Sequence, residues 1–161
     1  MQLRRLREMI VSVIQESNVS IVPMTDEHLD EIVEIDNEYS TKPWSREIFL
    51  KELLHNFSYN FTLLYSSEIA GFANFWCIYD VIELNNFAIK SSFRNRGLGR
   101  GFLKFIIKIS SFLKAKKIFL EVKSDNLPAF NLYSSEGFKK IGIRKKYYSD
   151  GNDAILMEKL I

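Results

Sequence analysis

The chain has 161 residues, 47% hydrophobic and 26% charged, a net charge of +2 and a single cysteine, Cys77. That length fits one domain able to bury about two thirds of its unfolded surface, and the composition is that of a soluble globular protein. The small charge does not point to nucleic acid or membrane, one cysteine excludes an internal disulfide and fits a reducing, cytoplasmic compartment, and no apolar run reaches a membrane span.

Residues 1–18 read as a leader. Leu3, Leu6, Ile10, Val13 and Ile14 fall at helical spacing beside a basic face, without a signal-peptide core. A single domain over 19–161 follows. Val19–Met24 reads as a strand, and Thr25 as the N-cap of an acidic helix to about Glu38, with Leu29, Ile32 and Val33 inward. Lys42-Pro43 breaks the chain, and Ser45 caps a second helix to about His55. Tyr59–Tyr65, Ile69–Cys77 and Val81–Ile89 read as strands joined by short turns. From Leu98, the spacing of Phe102, Phe105, Ile106, Ile109, Phe112 and Leu113 predicts a helix of about sixteen residues. Ile118–Val122 is a compact buried strand. Ser124 or Asp125 should cap a helix ending at Gly137, a natural C′ residue. Phe138–Tyr147 and Ala154–Leu160 close the chain, with Asp150-Gly151 as a hairpin signal. The fold expected is α/β (α+β), a mixed, mostly antiparallel sheet of seven strands with about four helices. Its one parallel β-α-β crossover spans 81–122.

Glycines 97, 99 and 101 alternate where a strand passes into a helix. Free N–H groups at a helix N-terminus bind anions, and glycine lets a phosphate approach the backbone. Arg94, Arg96 and Arg100 add positive charge. The dinucleotide fingerprint fails because the third glycine comes one residue early, and the P-loop fails because Phe102 follows Gly101. Glycines alone leave an ordinary strand–helix turn equally open. Glu121 lies between Leu120 and Val122. A carboxylate so placed is either a partly buried base or an end-of-strand residue paired with a surface cation. Tyr133 is either a proton donor or a core aromatic beside Phe130. His28 and His55 lack zinc spacing, so no metal is expected.

The segment Arg94-Asn95-Arg96-Gly97-Leu98-Gly99 resembles the pyrophosphate-binding signature R-x-x-G-x-G of the GNAT acetyltransferase superfamily. Asn86-Phe87-Ala88-Ile89, Phe119-Leu120-Glu121-Val122, Asn126, Leu132-Tyr133 and Glu136-Gly137-Phe138 extend the likeness to the ribosomal-protein alanine N-acetyltransferases (the RimI type). So do Pro43-Trp44-Ser45 and Tyr147-Tyr148-Ser149-Asp150-Gly151 with Asp153-Ala154. Archaeal and eukaryotic protein Nα-acetyltransferases share much of this set, which covers roughly residues 19–160. The resemblance implies a GNAT fold and acetyl-CoA as acyl donor, its phosphates on the turn from Arg94 to Arg100. Glu121 would be the general base, through a water, and Tyr133 the general acid. Backbone N–H groups of Phe87, Ala88 and Ile89 would bind the thioester oxygen, with Asn85 and Asn86 helping a bulge that frees them. Asn126 is a cofactor contact or a plain helix-start residue. Trp44, Tyr147 and Tyr148 are candidate walls of the acceptor pocket, and Trp44 is equally a core anchor.

The implied acceptor is a protein N-terminus, a ribosomal protein among the candidates. An α-amine titrates at about 7.7–8.0 and a lysine at about 10.4, so neutralising lysine costs roughly 3 kcal/mol more. Alternatives are a GNAT acting on a small amine or on protein lysine, a non-catalytic acetyl-CoA-binding module, or a basic RNA-binding domain. The last would need exposed aromatics among its lysines, whereas the phenylalanines of 98–113 share one stripe. No direct nucleic-acid or membrane partner and a monomer or weak dimer are expected.

Overall fold

A computed structural model describes residues 18–161. All of the expected leader except its last residue lies outside the described residues. The strands are β1 (Val19–Pro23), β2 (Ser58–Tyr65), β3 (Glu68–Ile78), β4 (Val81–Ile89), β5 (Lys117–Lys123), β6 (Lys139–Arg144) and β7 (Ala154–Leu160). The α-helices are α1 (Leu29–Tyr39), α2 (Arg46–Leu54), α3 (Leu98–Phe112) and α4 (Leu127–Ser135). One seven-stranded sheet runs β1-β2-β3-β4-β5-β7-β6. Among the described residues only β4 and β5 pair in parallel, around the α3 crossover, and the other pairings are antiparallel. The mixed seven-stranded architecture expected from the sequence is the one observed.

Helix spacing assigns the faces. Along α3, Leu98, Phe102, Phe105, Ile106 and Ile109 are buried at i, i+3, i+4 intervals. They pack on Ile82 and Leu84 of β4 and on Ile118, Leu120 and Val122 of β5. Each large side chain buried there contributes about 1.5–3 kcal/mol. Phe112 departs from the expected stripe and is exposed at the helix end. On the opposite face, Leu29, Ile32 and Ile35 of α1 and Phe49 of α2 cover Phe72 and Ala88.

The ends differ from the sequence expectation in three places. A 3₁₀ turn over Asp26–His28 precedes α1, with the Thr25 N–H on His28 Nδ1 at 3.2 Å. Asn126, rather than Ser124 or Asp125, caps α4, accepting the Ala129 N–H at 3.2 Å. β6 ends at Arg144 rather than at Tyr147, so residues 145–153, Asp150-Gly151 among them, join the last two strands. Asp153 holds that loop by accepting the Lys146 N–H at 2.9 Å. Ser45 caps α2 as expected, accepting from the Ile48 N–H at 3.4 Å.

Candidate functional site

The site begins where the sheet comes apart. β4 and β5 pair only from Val81–Leu84 against Lys117–Leu120. On its other edge β4 changes register: Phe75 pairs with Leu84 and Asn74 with Asn86, so Asn85 is an extra, bulged residue. A bulge bends its strand and shifts the alternation of faces by one. Ile82 and Leu84 point toward α3, and without the bulge Asn86 would follow them. Instead Asn86 points to α1, its Nδ2 on Asp36 Oδ1 at 3.3 Å, while Phe87 and Ile89 turn to the α3 core. A buried polar chain secures the bulge. Asn85 Nδ2 donates to Asn74 Oδ1 at 3.1 Å, and Asn74 Nδ2 donates to Asn60 Oδ1 at 2.7 Å and Glu52 Oε2 at 3.2 Å. Beyond Leu84, the β5-side edge of β4 is left without a strand partner among the described residues.

The parted strands open a cleft of about 1260 Å³. One side is the α3 turn. Gly97 occupies the N-cap at φ +78°, a left-handed conformation that glycine adopts freely, and Asn95, whose short polar side chain tolerates it, is also left-handed at φ 59°. Gly101 N–H makes the first helical bond to Gly97 O, so the helix leaves the N–H groups of Leu98, Gly99 and Arg100 without intrahelical partners. Arg94 braces the turn from within, its Nε on Ile89 O at 2.9 Å. Arg94, Asn95, Gly97, Leu98, Gly99 and Asn126 all line the cleft, together with Phe87, Ala88 and Ile89. Arg96 and Arg100 are turned elsewhere. Arg96 lies over the rings of Tyr65 and Phe93, and Arg100 ties α3 to α4 through Ser135 Oγ at 3.1 Å.

The two candidate proton-transfer residues reach the cleft from opposite faces of the sheet. Tyr133 comes from α4, 6% exposed, its ring 5.7 Å from Phe138 and 6.3 Å from Phe87. It is therefore both a core aromatic and a cleft residue. Burial pushes its phenol well above the ordinary range, so the proton stays on the oxygen at neutral pH. No described buried side-chain oxygen lacks a hydrogen-bond partner. The α4 terminus that carries Tyr133 is a complete Schellman motif. Phe138 N–H reaches Tyr133 O at 3.0 Å, Gly137 N–H reaches Ser134 O at 3.1 Å, and Gly137 sits at φ +88°.

Glu121 alternates with buried Leu120 and Val122 and so faces away from α3. Its side chain is partly buried, 21% exposed, and is also paired with a cation, Arg144 Nη1 at 3.0 Å. β6, the edge strand, supplies that arginine. Arg144 also lies over the Tyr147 ring, and Tyr147 meets Tyr148 edge-on at 5.3 Å. Trp44 packs on Phe49, the rings tilted at 5.3 Å, and also lines the cleft. Glu121, Tyr133, Trp44, Tyr147 and Tyr148 thus share one cavity.

Sequence reasoning missed Asp36, Tyr39 and Arg144. Asp36 is fully buried and accepts the Trp44 N–H at 2.7 Å as well as the Asn86 amide, and burial raises its carboxyl above the usual range. The signal was present: positions 29, 32, 33 and 36 are i, i+3, i+4, i+7, which puts an acid on the inward stripe of α1. Arg144 had no such signal, because its partner lies two strands away.

A model of the Acetyltransferase (GNAT) family matches residues 29–138. The ribosomal protein bS18-alanine N-acetyltransferase of Escherichia coli (strain K12) is 34% identical over 118 residues, 71% of this chain and 79% of that one. Its Salmonella typhimurium (strain LT2) namesake is 31% identical over 144 residues, 88% and 95% of the two chains. Among solved structures, the Escherichia coli ribosomal-protein-S18-alanine N-acetyltransferase aligns over 89% of this chain and 94% of its own, with a TM-score of 0.82 and 30% identity. Ard1 from Thermoplasma volcanium aligns over 89% and 98% with a TM-score of 0.83, a likeness of fold at 18% identity.

Proposed function

This chain belongs to the acetyltransferase (GNAT) family, and from that premise we propose that it moves the acetyl group of acetyl-CoA directly onto the N-terminal α-amine of a protein. The observation that carries the proposal is the split between β4 and β5, with Tyr133 on one face of the sheet and Glu121 on the other, both in one cleft. Two reactants can enter such a gap from opposite faces and meet in line, and that alignment is itself a large part of the rate.

Acetyl-CoA supplies the activated thioester. The amides at the start of α3 and the positive end of its dipole suit the pyrophosphate, and Arg94 and Asn95 border that turn. The Phe87–Ile89 edge, freed by the Asn85 bulge, offers N–H groups for the thioester oxygen. Glu121 takes the amine proton through a water. Arg144, ion-paired to it at 3.0 Å, fixes where that carboxylate points. The amine nitrogen bonds the carbonyl carbon, the carbon–sulfur bond breaks, and Tyr133 protonates the departing sulfur. Asn126 is spent on capping α4 while bordering the cleft, so its cofactor contact is the weaker assignment. Trp44, Tyr147 and Tyr148 surround the acceptor side, where an extended N-terminus fits between α1 and the 145–153 loop.

The acceptor we favour is a ribosomal-protein N-terminus beginning with alanine, because relatives at 31–34% identity bear that activity in their names. The test is incubation with acetyl-CoA and a panel of N-terminal peptides, lysine peptides and polyamines, read by mass spectrometry. Acetylation of α-amines is expected. Turnover of polyamines or lysine side chains with no α-amine product refutes the proposal.

A further inference from the structure

Tyr39 ends α1, and its ring borders the cleft with 37% of the residue exposed. Its hydroxyl is buried at the split, where the reaction above gives it no task. The hydroxyl donates to Asn86 Oδ1. Asn86 cannot turn away, because its Nδ2 is on Asp36 Oδ1 at 3.3 Å and Asp36 is fixed in turn by the Trp44 N–H at 2.7 Å. Phe87, in the stretch just past the bulge, follows Asn86 directly and lines the same cleft as Tyr39. A buried relay of Asp36, Asn86 and Tyr39 therefore delivers a phenol hydroxyl beside an amide suited to the thioester oxygen.

We propose that Tyr39 is a further catalytic residue, whose hydroxyl donates a second hydrogen bond to the thioester oxygen as that oxygen becomes negative. This rests on the acetyl-transfer mechanism above, on its thioester side only. When the amine nitrogen bonds the carbonyl carbon, the carbonyl π pair moves to oxygen. The Tyr39 hydroxyl then turns about its C–O bond from the neutral Asn86 oxygen to the anionic one, keeping its own proton. As the carbonyl re-forms, the carbon–sulfur bond breaks and the thiolate takes its proton from Tyr133. Before attack, Asn86 already satisfies the hydroxyl, so little is gained from the ground-state carbonyl. A charge-assisted bond is roughly twice as strong as a neutral one, so the exchange becomes favourable only in the transition state. An interaction made only there raises kcat and leaves KM alone. Burial and the nearby Asp36 carboxylate push the phenol well above its ordinary range, so it remains a donor.

The test is Tyr39→Phe, which removes one hydroxyl at a partly exposed ring. With acetyl-CoA and whichever amine the wild-type enzyme accepts, kcat should fall on the order of 10²-fold, the usual cost of one such donor. KM and calorimetric affinity for acetyl-CoA should stay within about twofold. A kcat within twofold of wild type would mean that the hydroxyl only packs. Tighter acetyl-CoA binding with kcat undiminished would mean that it competes with the thioester for the Phe87 amide. Either result overturns the proposal. Should Tyr39→Phe fold poorly, 3-fluorotyrosine at position 39 keeps the hydroxyl and makes it a stronger donor. Its kcat should exceed the wild-type value, and an equal or lower kcat overturns the proposal. Acceptor choice is scored separately: wild-type turnover of polyamines but not peptides removes the proposed acceptor, and the Tyr39 effect is then read on polyamines.

Discussion

In the proposed reaction a carboxylate and a phenol divide the proton traffic, and they sit in different surroundings. Glu121 is partly exposed and ion-paired to Arg144, within reach of solvent, whereas Tyr133 is buried against Phe87 and Phe138 and holds its proton. Replacing Glu121 with Gln keeps the shape and removes the base. Turnover should fall about 10² to 10⁴-fold with acetyl-CoA affinity held, and steady-state kinetics with calorimetry measures both. Wild-type turnover in that variant would remove Glu121 from the mechanism. Tyr133→Phe should lower kcat at least about tenfold while thermal stability persists, since the ring contacts survive. Turnover within twofold would reduce Tyr133 to a core tyrosine. A glycine remote from the chemistry matters for a steric reason. A Cβ on Gly71 would collide with the Ala88 carbonyl oxygen across the β3–β4 pair, so Gly71→Ala should destabilise the protein by about 1–3 kcal/mol as overpacking does, seen as a lower urea midpoint.

Two element ends carry the site, the C-terminus of α4 and the loop between β6 and β7. Gly137→Ala forces a β-carbon onto a φ of +88° and toward Lys159 Nζ. The expected loss is about 1–2 kcal/mol, and because the Schellman bonds end on Tyr133 O and Ser134 O, kcat should fall with it. A variant that loses stability and keeps full kcat would separate the cap from the position of Tyr133. In the 145–153 loop, Asp150 is held below the usual aspartate range first by Lys123, and Asp153 first by the Lys146 N–H. Their folded values lie below the ordinary value of about 3.8, so their stabilisation is complete above it and is lost as pH falls through the lowered values. The loop bearing Tyr147 and Tyr148 should therefore loosen in acid before the α3 core does. Nuclear magnetic resonance of the Lys146 and Asn152 amides during an acid titration checks this, and loss of core and loop signals together would refute it.

At the scale of the whole molecule, a split sheet gains from a ligand that bridges it. Acetyl-CoA at a hundredfold excess over Kd should add about 2.7 kcal/mol, on the order of 5–10 °C in Tm for a chain of this size; scanning fluorimetry reads it, and no shift would argue against the cleft as the cofactor site. The chain sequence alone determined the element order, the seven strands, the β4-α3-β5 crossover and the glycine turn at 97–101. Those features are local: apolar spacing decides helix against strand, and left-handed backbone selects glycine. The family motif placed Glu121 and Tyr133 in a shared site, and the expectation of an Asn85–Asn86 bulge was met at Asn85. Tertiary structure alone decided what surrounds them. Arg144 meets Glu121 because β7 inserts between β5 and β6. Arg96 and Arg100 leave the cleft for partners on Tyr65, Phe93 and Ser135. Asp36, Asn86 and Tyr39 join through a single register shift of β4. A one-residue bulge exchanges every later side chain between the two faces of a sheet, and which partners then come within hydrogen-bond reach depends on distances that close only when strands far apart in the chain are paired.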